Sequence, residues 1–178
     1  MIPLFKVFVD PGAGAEVAKV LNSGYIGQGP KVEEFENLLK THFQTPDVLT
    51  VNSCTAALHP ALHLIKQSPA DEVVTTPLTC FAGTSAILAN NYKICWGDVD
   101  PETCNIDLDD VERKLNKNTR AIVVVHWGGY PVDLDRLKDI QETCLRRHGH
   151  KPHVIEDCAH AWGSRYKGRL VGAHGNLC

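Results

Sequence analysis

Residues 121–126 read Ala-Ile-Val-Val-Val-His, an apolar run with no polar alternation. A strand wetted on one face alternates, so this one must be covered on both, as in a parallel sheet between helical layers. The flanking sequence agrees. Strand-like runs at 48–53, 72–77, 92–99 and 153–157 alternate with helical spacing at 55–66, 81–90, 107–115 and 134–147. Strands separated by helices of about a dozen residues are βαβ units. Right-handed crossovers then gather the carboxyl ends of the strands on one edge, where ligands bind in open α/β sheets. The expected fold is a three-layer α/β/α domain with a mostly parallel sheet. The first 45 residues differ: helices at 16–23 and 31–43 flank Gly24-Tyr25-Ile26-Gly27-Gln28-Gly29-Pro30.

Composition removes several alternatives. Eighteen basic against 21 acidic residues leave a net charge of −3, without the basic stripe of a nucleic-acid protein or the polybasic patch of a membrane anchor. No run is long enough to span a bilayer, and Met1-Ile2-Pro3-Leu4-Phe5-Lys6 lacks the pattern of a secretory leader, so a cytoplasmic chain is expected. Seven cysteines with no C-x-x-C pair read as free thiols. His148, His150 and His153 read as a polar loop rather than a metal site, because no Cys pair accompanies them.

The strand ends carry the candidate chemistry. Asn52-Ser53-Cys54-Thr55-Ala56 places small hydroxyl residues at a helix start, either a phosphate cradle or an ordinary cap. Thr76-Pro77-Leu78-Thr79-Cys80-Phe81 reads as a helix start capped by Thr79. His126-Trp127-Gly128-Gly129 is a ligand floor or a tight turn. Glu156-Asp157-Cys158-Ala159-His160 puts an acid at the end of a buried strand, where it needs a cationic partner unless it caps a following helix.

Taken in order, these segments resemble the DegT/DnrJ/EryC1/StrS family of pyridoxal-phosphate sugar aminotransferases. The likeness runs from Ser23–Pro30 with Phe35-Glu36, through Asn52–Leu58, Asp71-Glu72-Val73, Thr76–Thr79, Asp98-Val99-Asp100-Pro101 and Asn105-Ile106-Asp107. It continues through Thr119–Ile122, Val125-His126, Glu156–Ala161, Tyr166–Arg169 and Val171-Gly172. The resemblance implies the large domain of a fold-type-I transferase. Residues 1–45 would be an N-terminal helical segment with a substrate-side loop. Residues 46–178 would be an incomplete cofactor domain, lacking its last strands and a C-terminal small domain. It also implies pyridoxal 5'-phosphate as cofactor, glutamate and a nucleotide-linked keto-sugar as substrates, and a homodimer.

By the same resemblance, Thr55 and Ala56 hold the cofactor phosphate, Asp157 pairs with the ring nitrogen and His160 approaches the ring hydroxyl. Tyr25, Ile26 and Gln28 are candidates for substrate contact. Two positions depart from the family. Cys54 stands where many relatives have Gly or Ala, and Cys80 stands where an aromatic usually covers the ring, leaving Phe81 or Trp127 to take that part. The family's Schiff-base lysine is expected beyond Cys178, so no residue of this chain is assigned catalysis, and the chain alone is not expected to turn over. A dehydratase of the same family and a non-catalytic truncated homologue are the alternatives. Leu177 and Cys178 read as the start of another strand.

Overall fold

Four parallel strands form the sheet, in the spatial order β2-β1-β3-β4. They are β1 (Glu72–Thr75), β2 (Lys93–Trp96), β3 (Thr119–Val125) and β4 (His153–Asp157). The computed structural model describes residue 2 and residues 6–178; Met1, Pro3, Leu4 and Phe5, part of the N-terminal stretch read above as leaderless, lie outside the described residues. The doubly covered run is β3, where Ala121 to Val125 are all buried between β1 and β4.

Strand parity sorts the core into two layers. On one face Val73, Ala121, Val123 and Ile155 pack with Leu58, Leu62 and Ile65 of α3 (Cys54–Ile65) and Ala86 and Ile87 of α4 (Phe81–Ala89). On the other, Val74, Ile122, Val124 and Val154 pack with α5 (Leu108–Lys114) and α6 (Leu134–His148), through Val111, Leu134, Leu137, Ile140 and Cys144. The fold is therefore the expected three-layer α/β/α arrangement. The four strand carboxyl ends, Thr75, Trp96, Val125 and Asp157, share one edge.

Local chemistry sets the helix limits. Asp133 caps α6, accepting from the N–H groups of Asp135 (3.1 Å) and Arg136 (3.0 Å), and Gly149 ends it in the left-handed region at φ 81°. Asp107 caps α5 in the same way. The segment after β4 forms a hairpin of β5 (Arg165–Tyr166) and β6 (Arg169–Leu170). Its two turn residues, Lys167 and Gly168, both have positive φ, the twist that a two-residue hairpin requires. α1 (Ala13–Ser23) and α2 (Pro30–Phe43) precede the sheet in the chain and contain no buried residue.

Four expectations are corrected. Residues 48–53 are not a strand: Leu49 is 71% and Val51 43% exposed. A strand needs a neighbouring backbone, and the outer edge of β4 is engaged by Leu177, whose O accepts from Glu156 N (2.8 Å) and whose N–H donates to Val154 O (3.2 Å). Leu177 thus begins a parallel pairing with Ile155. The strand expected at 92–99 stops at Trp96 because the chain turns at Asp100-Pro101, where Asp100 accepts from Glu102 and Thr103, and Val99 pairs back with Ile106. Thr79 does not cap α4; Cys80 holds that position without a side-chain bond. No helix follows β4: residues 158–164 are successive turns, closed by Ala161 N to Cys158 O and Ser164 N to Ala161 O.

Ile122 is fully buried at the centre of the sheet. Ile122→Ala should cost about 2–5 kcal/mol, read as a lower urea midpoint with unchanged slope.

Candidate active site

At the strand edge β4 ends in two adjacent carboxylates on opposite faces of the sheet. Glu156 points into the α5–α6 layer and is 1% exposed; Asp157 points toward the N-terminus of α3 and is 8% exposed.

Glu156 is held by a closed set of donors. Its Oε2 lies 3.0 Å from Nε2 of fully buried His126, and its Oε1 accepts from Asn176 Nδ2 at 2.7 Å. Val132 N–H donates to His126 Nδ1 at 3.0 Å. Nδ1 is therefore an acceptor, the ring proton sits on Nε2, and Nε2 donates to the carboxylate. Burial pushes the Glu156 carboxyl up, but the bonds from His126, Asn176 and the Gly172 N–H outweigh it, and the net shift is downward. Cys158 lies within 4.8 Å of this pair, a spacing that could suit a metal ion. The tautomer argues against that use, because an Nε2 that ligates a metal needs a proton on Nδ1, where the Val132 N–H already points.

Asp157 faces the other layer. Its Oδ1 accepts from Ala159 N (3.0 Å) and lies 3.6 Å from the Cys54 sulfur. Among the described residues Oδ2 accepts no bond. Cys54 is the first residue of α3, so the carboxylate sits beside that helix start. Burial first, then the charge of Asp157, pushes the Cys54 thiol up to about 11, so the S–H donates to the carboxylate. Ser53 caps α3: its hydroxyl accepts from Ala56 N at 3.1 Å, and its carbonyl accepts from Ala57 N at 3.0 Å. The N–H groups of Cys54 and Thr55 have no acceptor among the described residues, leaving two donors at a positive helix end.

The turn after β3 forms the neighbouring wall. Trp127–Gly129 is a short 3-10 turn in which Gly128 and Gly129 have φ 59° and 84°. Asn105, 5% exposed, secures it by accepting from Trp127 N (2.9 Å) and donating to Tyr130 O (3.0 Å). The Trp127 ring meets His160 edge-on at 5.4 Å, and Gly128 N–H donates to His160 Nδ1 at 3.4 Å. His160 is exposed on a turn rather than on a helix.

The fold thus brings Cys54, Thr55, Ala56 and Asp157 together, with His160 and Trp127 on one further turn. Cys80 and Phe81 start α4 and are exposed, Phe81 by 70%, and no hydrogen bond ties either to Asp157. Tyr25, Ile26 and Gln28 are exposed in the α1–α2 loop, and the Tyr25 ring lies over Gly29, where a Cβ would meet it at 2.2 Å. No hydrogen bond links them to the strand edge. Nothing local in the sequence pairs His126 with Glu156; the available signal is parity, since a fully covered strand ending Glu-Asp must bury one acid on each face.

Both chemical demands of a phosphorylated pyridine are met on this edge: unpaired N–H donors for an anion, and a buried carboxylate for a cationic ring nitrogen. The model of the DegT/DnrJ/EryC1/StrS aminotransferase family matches residues 10–178. The chain belongs to this family, whose aminotransferases depend on pyridoxal phosphate. It is 55% identical to AtS13 from Actinomadura melliaura, with TM-score 0.97 over 100% of this chain and 48% of that one. It is 47% identical to the sugar aminotransferase CalS13 from Micromonospora echinospora, with TM-score 0.94 over 99% of this chain and 48% of that one. Spore coat polysaccharide biosynthesis protein SpsC of Bacillus subtilis is 36% identical, over 90% of this chain and 40% of its own length. The chain spans less than half the length of the curated relatives it matches. Among the described residues no helix is long and apolar enough to cross a membrane.

His126→Phe should leave the Glu156 carboxylate buried without its ring donor and cost about 3–5 kcal/mol at neutral pH. Because the folded-state carboxyl is depressed, its contribution is present above the usual carboxyl value of 4.5 and fades as pH falls through the lower folded value. Glu156→Gln should flatten that acid limb in urea titrations run between pH 7 and 3.

Proposed function

We propose that this chain is the N-terminal part of an aminotransferase that moves an amino group from glutamate to a nucleotide-linked keto-sugar. Residues 1–45 are then the substrate-side segment, and 46–178 are the larger part of the cofactor domain. The observation that carries the reading is the placement of a buried carboxylate, Asp157, 3.6 Å from the first residue of a helix whose leading N–H groups have no acceptor among the described residues.

In this reading the α3 start binds the phosphate. The N–H groups of Cys54 and Thr55 and the Thr55 hydroxyl are available, whereas the Ala56 N–H is shared with Ser53 Oγ. Asp157 receives the ring nitrogen on Oδ2, while Ala159 and Cys54 hold Oδ1 and fix the plane of the carboxylate. His160, steadied by Trp127 and Gly128, would approach the ring oxygen. Bound pyridoxal phosphate supplies an electron sink for a carbanion at the substrate carbon, and a carboxylate on the ring nitrogen keeps that sink cationic.

The exposed apolar side chains of α1 and α2 (Val17 57%, Leu21 61%, Phe35 51%, Leu38 62%) suit the interface of a homodimer, which would also bring the loop of Tyr25, Ile26 and Gln28 to a site. Pyridoxamine 5'-phosphate tests the pocket without needing the lysine, because it is held by noncovalent contacts alone. Asp157→Ala should weaken its binding roughly 10–100-fold in a calorimetric titration, as loss of a charge-assisted bond does, and Cys104→Ser should leave it unchanged. Equal affinity of Asp157→Ala and the unaltered protein would overturn the assignment of the ring nitrogen.

A further inference from the structure

The sulfurs of Cys158 and Cys178 lie 3.1 Å apart. One residue follows β4 directly; the other follows Leu177, whose pairing with Ile155 holds that segment against β4. The backbone makes room for the pair. Gly172 sits at φ +83°, and a Cβ there would meet the Cys178 sulfur at 2.7 Å and the Cys158 sulfur at 3.6 Å. Any side chain at 172 would both strain the backbone and displace the Cys178 sulfur.

We propose that Cys158 and Cys178 are a redox-active dithiol that closes to a disulfide on reaction with a small disulfide oxidant of the glutathione type. The sulfurs need approach by only about 1 Å to reach a bonded separation. Cys178 attacks one sulfur of oxidised glutathione, which breaks the oxidant's S–S bond and releases one glutathione thiolate. Cys158 then attacks Cys178 in the mixed disulfide and releases the second. The two cysteine protons pass to the two glutathione thiolates, so the protein loses two hydrogens and the oxidant gains them.

The electrostatics fit this order of events. The S–H···S bond is the first cause of opposite shifts: it pushes the Cys158 thiol far up and draws Cys178 down, and burial adds to the first and opposes the second. One proton held between two sulfurs makes Cys178 the nucleophile, as in other paired thiols. The metal alternative, an ion held by His126, Glu156 and Cys158, fails on the ring tautomer set by Val132 N–H. The disulfide would tie the Asp157–Ala159 turn to the strand beside it, across a segment of turns and one short hairpin.

The test is peptide mapping of the protein after incubation with oxidised glutathione and tryptic cleavage under non-reducing conditions. The expected product is peptide 148–165 joined to the peptide beginning at Leu170, two mass units below the sum of the two thiol forms. Dithiothreitol should remove it, Cys158→Ser should abolish it, and Cys104→Ser should retain it. Recovery of Cys158 and Cys178 as free thiols, as separate glutathione adducts, or joined to other cysteines overturns the proposal. If the Cys158→Ser variant does not fold, the peptide map of the unaltered protein still separates these outcomes.

Discussion

A parallel strand that is covered on both faces and ends in two acids has to settle each charge in a different layer. β4 does this with Glu156 and Asp157, and most of the strand edge follows from it. Glu156 is satisfied internally: His126 and Asn176 close around it, tying the end of β3, the end of β4 and the last described turn into one unit. Burying a carboxylate is unfavourable unless its oxygens find donors, and here the donors come from the end of β3 and from the last described turn. Asp157 is left with an oxygen that accepts nothing among the described residues. That asymmetry between neighbours separates a structural carboxylate from one available to a ligand.

The His126 ring shows how one backbone N–H decides chemistry. Because Val132 donates to Nδ1, the ring can only donate through Nε2, and a cluster whose ligand spacing would admit a metal becomes a hydrogen-bonded anchor instead. The same logic holds at the turn after β3, where Asn105 fixes Trp127 and Tyr130 from an element far away in sequence. The wall of the candidate site is thus positioned by side-chain bonds to main-chain groups, which have fixed geometry, rather than by surface ion pairs such as Lys167 with Asp135, which are exposed and contribute little.

The N-terminal helices stand apart from this pattern. They contain no buried residue, yet Phe35 and Leu38 are apolar, and among the described residues their ties to the rest of the chain include Glu36 to Thr50 and the rings of His42 and Phe43 on Trp162, at 5.6 and 5.4 Å. An amphipathic helix gains its stability by burying its apolar stripe, and α1 and α2 leave theirs exposed among the described residues.

Much of the architecture was legible in the residues. The unbroken apolar run of β3 required cover on both faces. Helical spacing over 107–115 and 134–147 located α5 and α6 to within one residue at each end, because spacing is a local property of the chain. What the residues could not decide was anything that depends on a neighbour distant in the chain. Residues 48–53 look like a strand but lack a ladder partner. Thr79 looks like a cap but precedes the helix by two positions. The partner of Glu156, the closeness of Cys54 to Asp157 and of Cys158 to Cys178 arise only when β3, β4, α3 and the Leu177 segment are laid side by side. Propensity and periodicity act over one or two turns of chain; hydrogen-bond pairing and the burial of charge are settled between segments 20 to 100 residues apart, and those are set by the sheet.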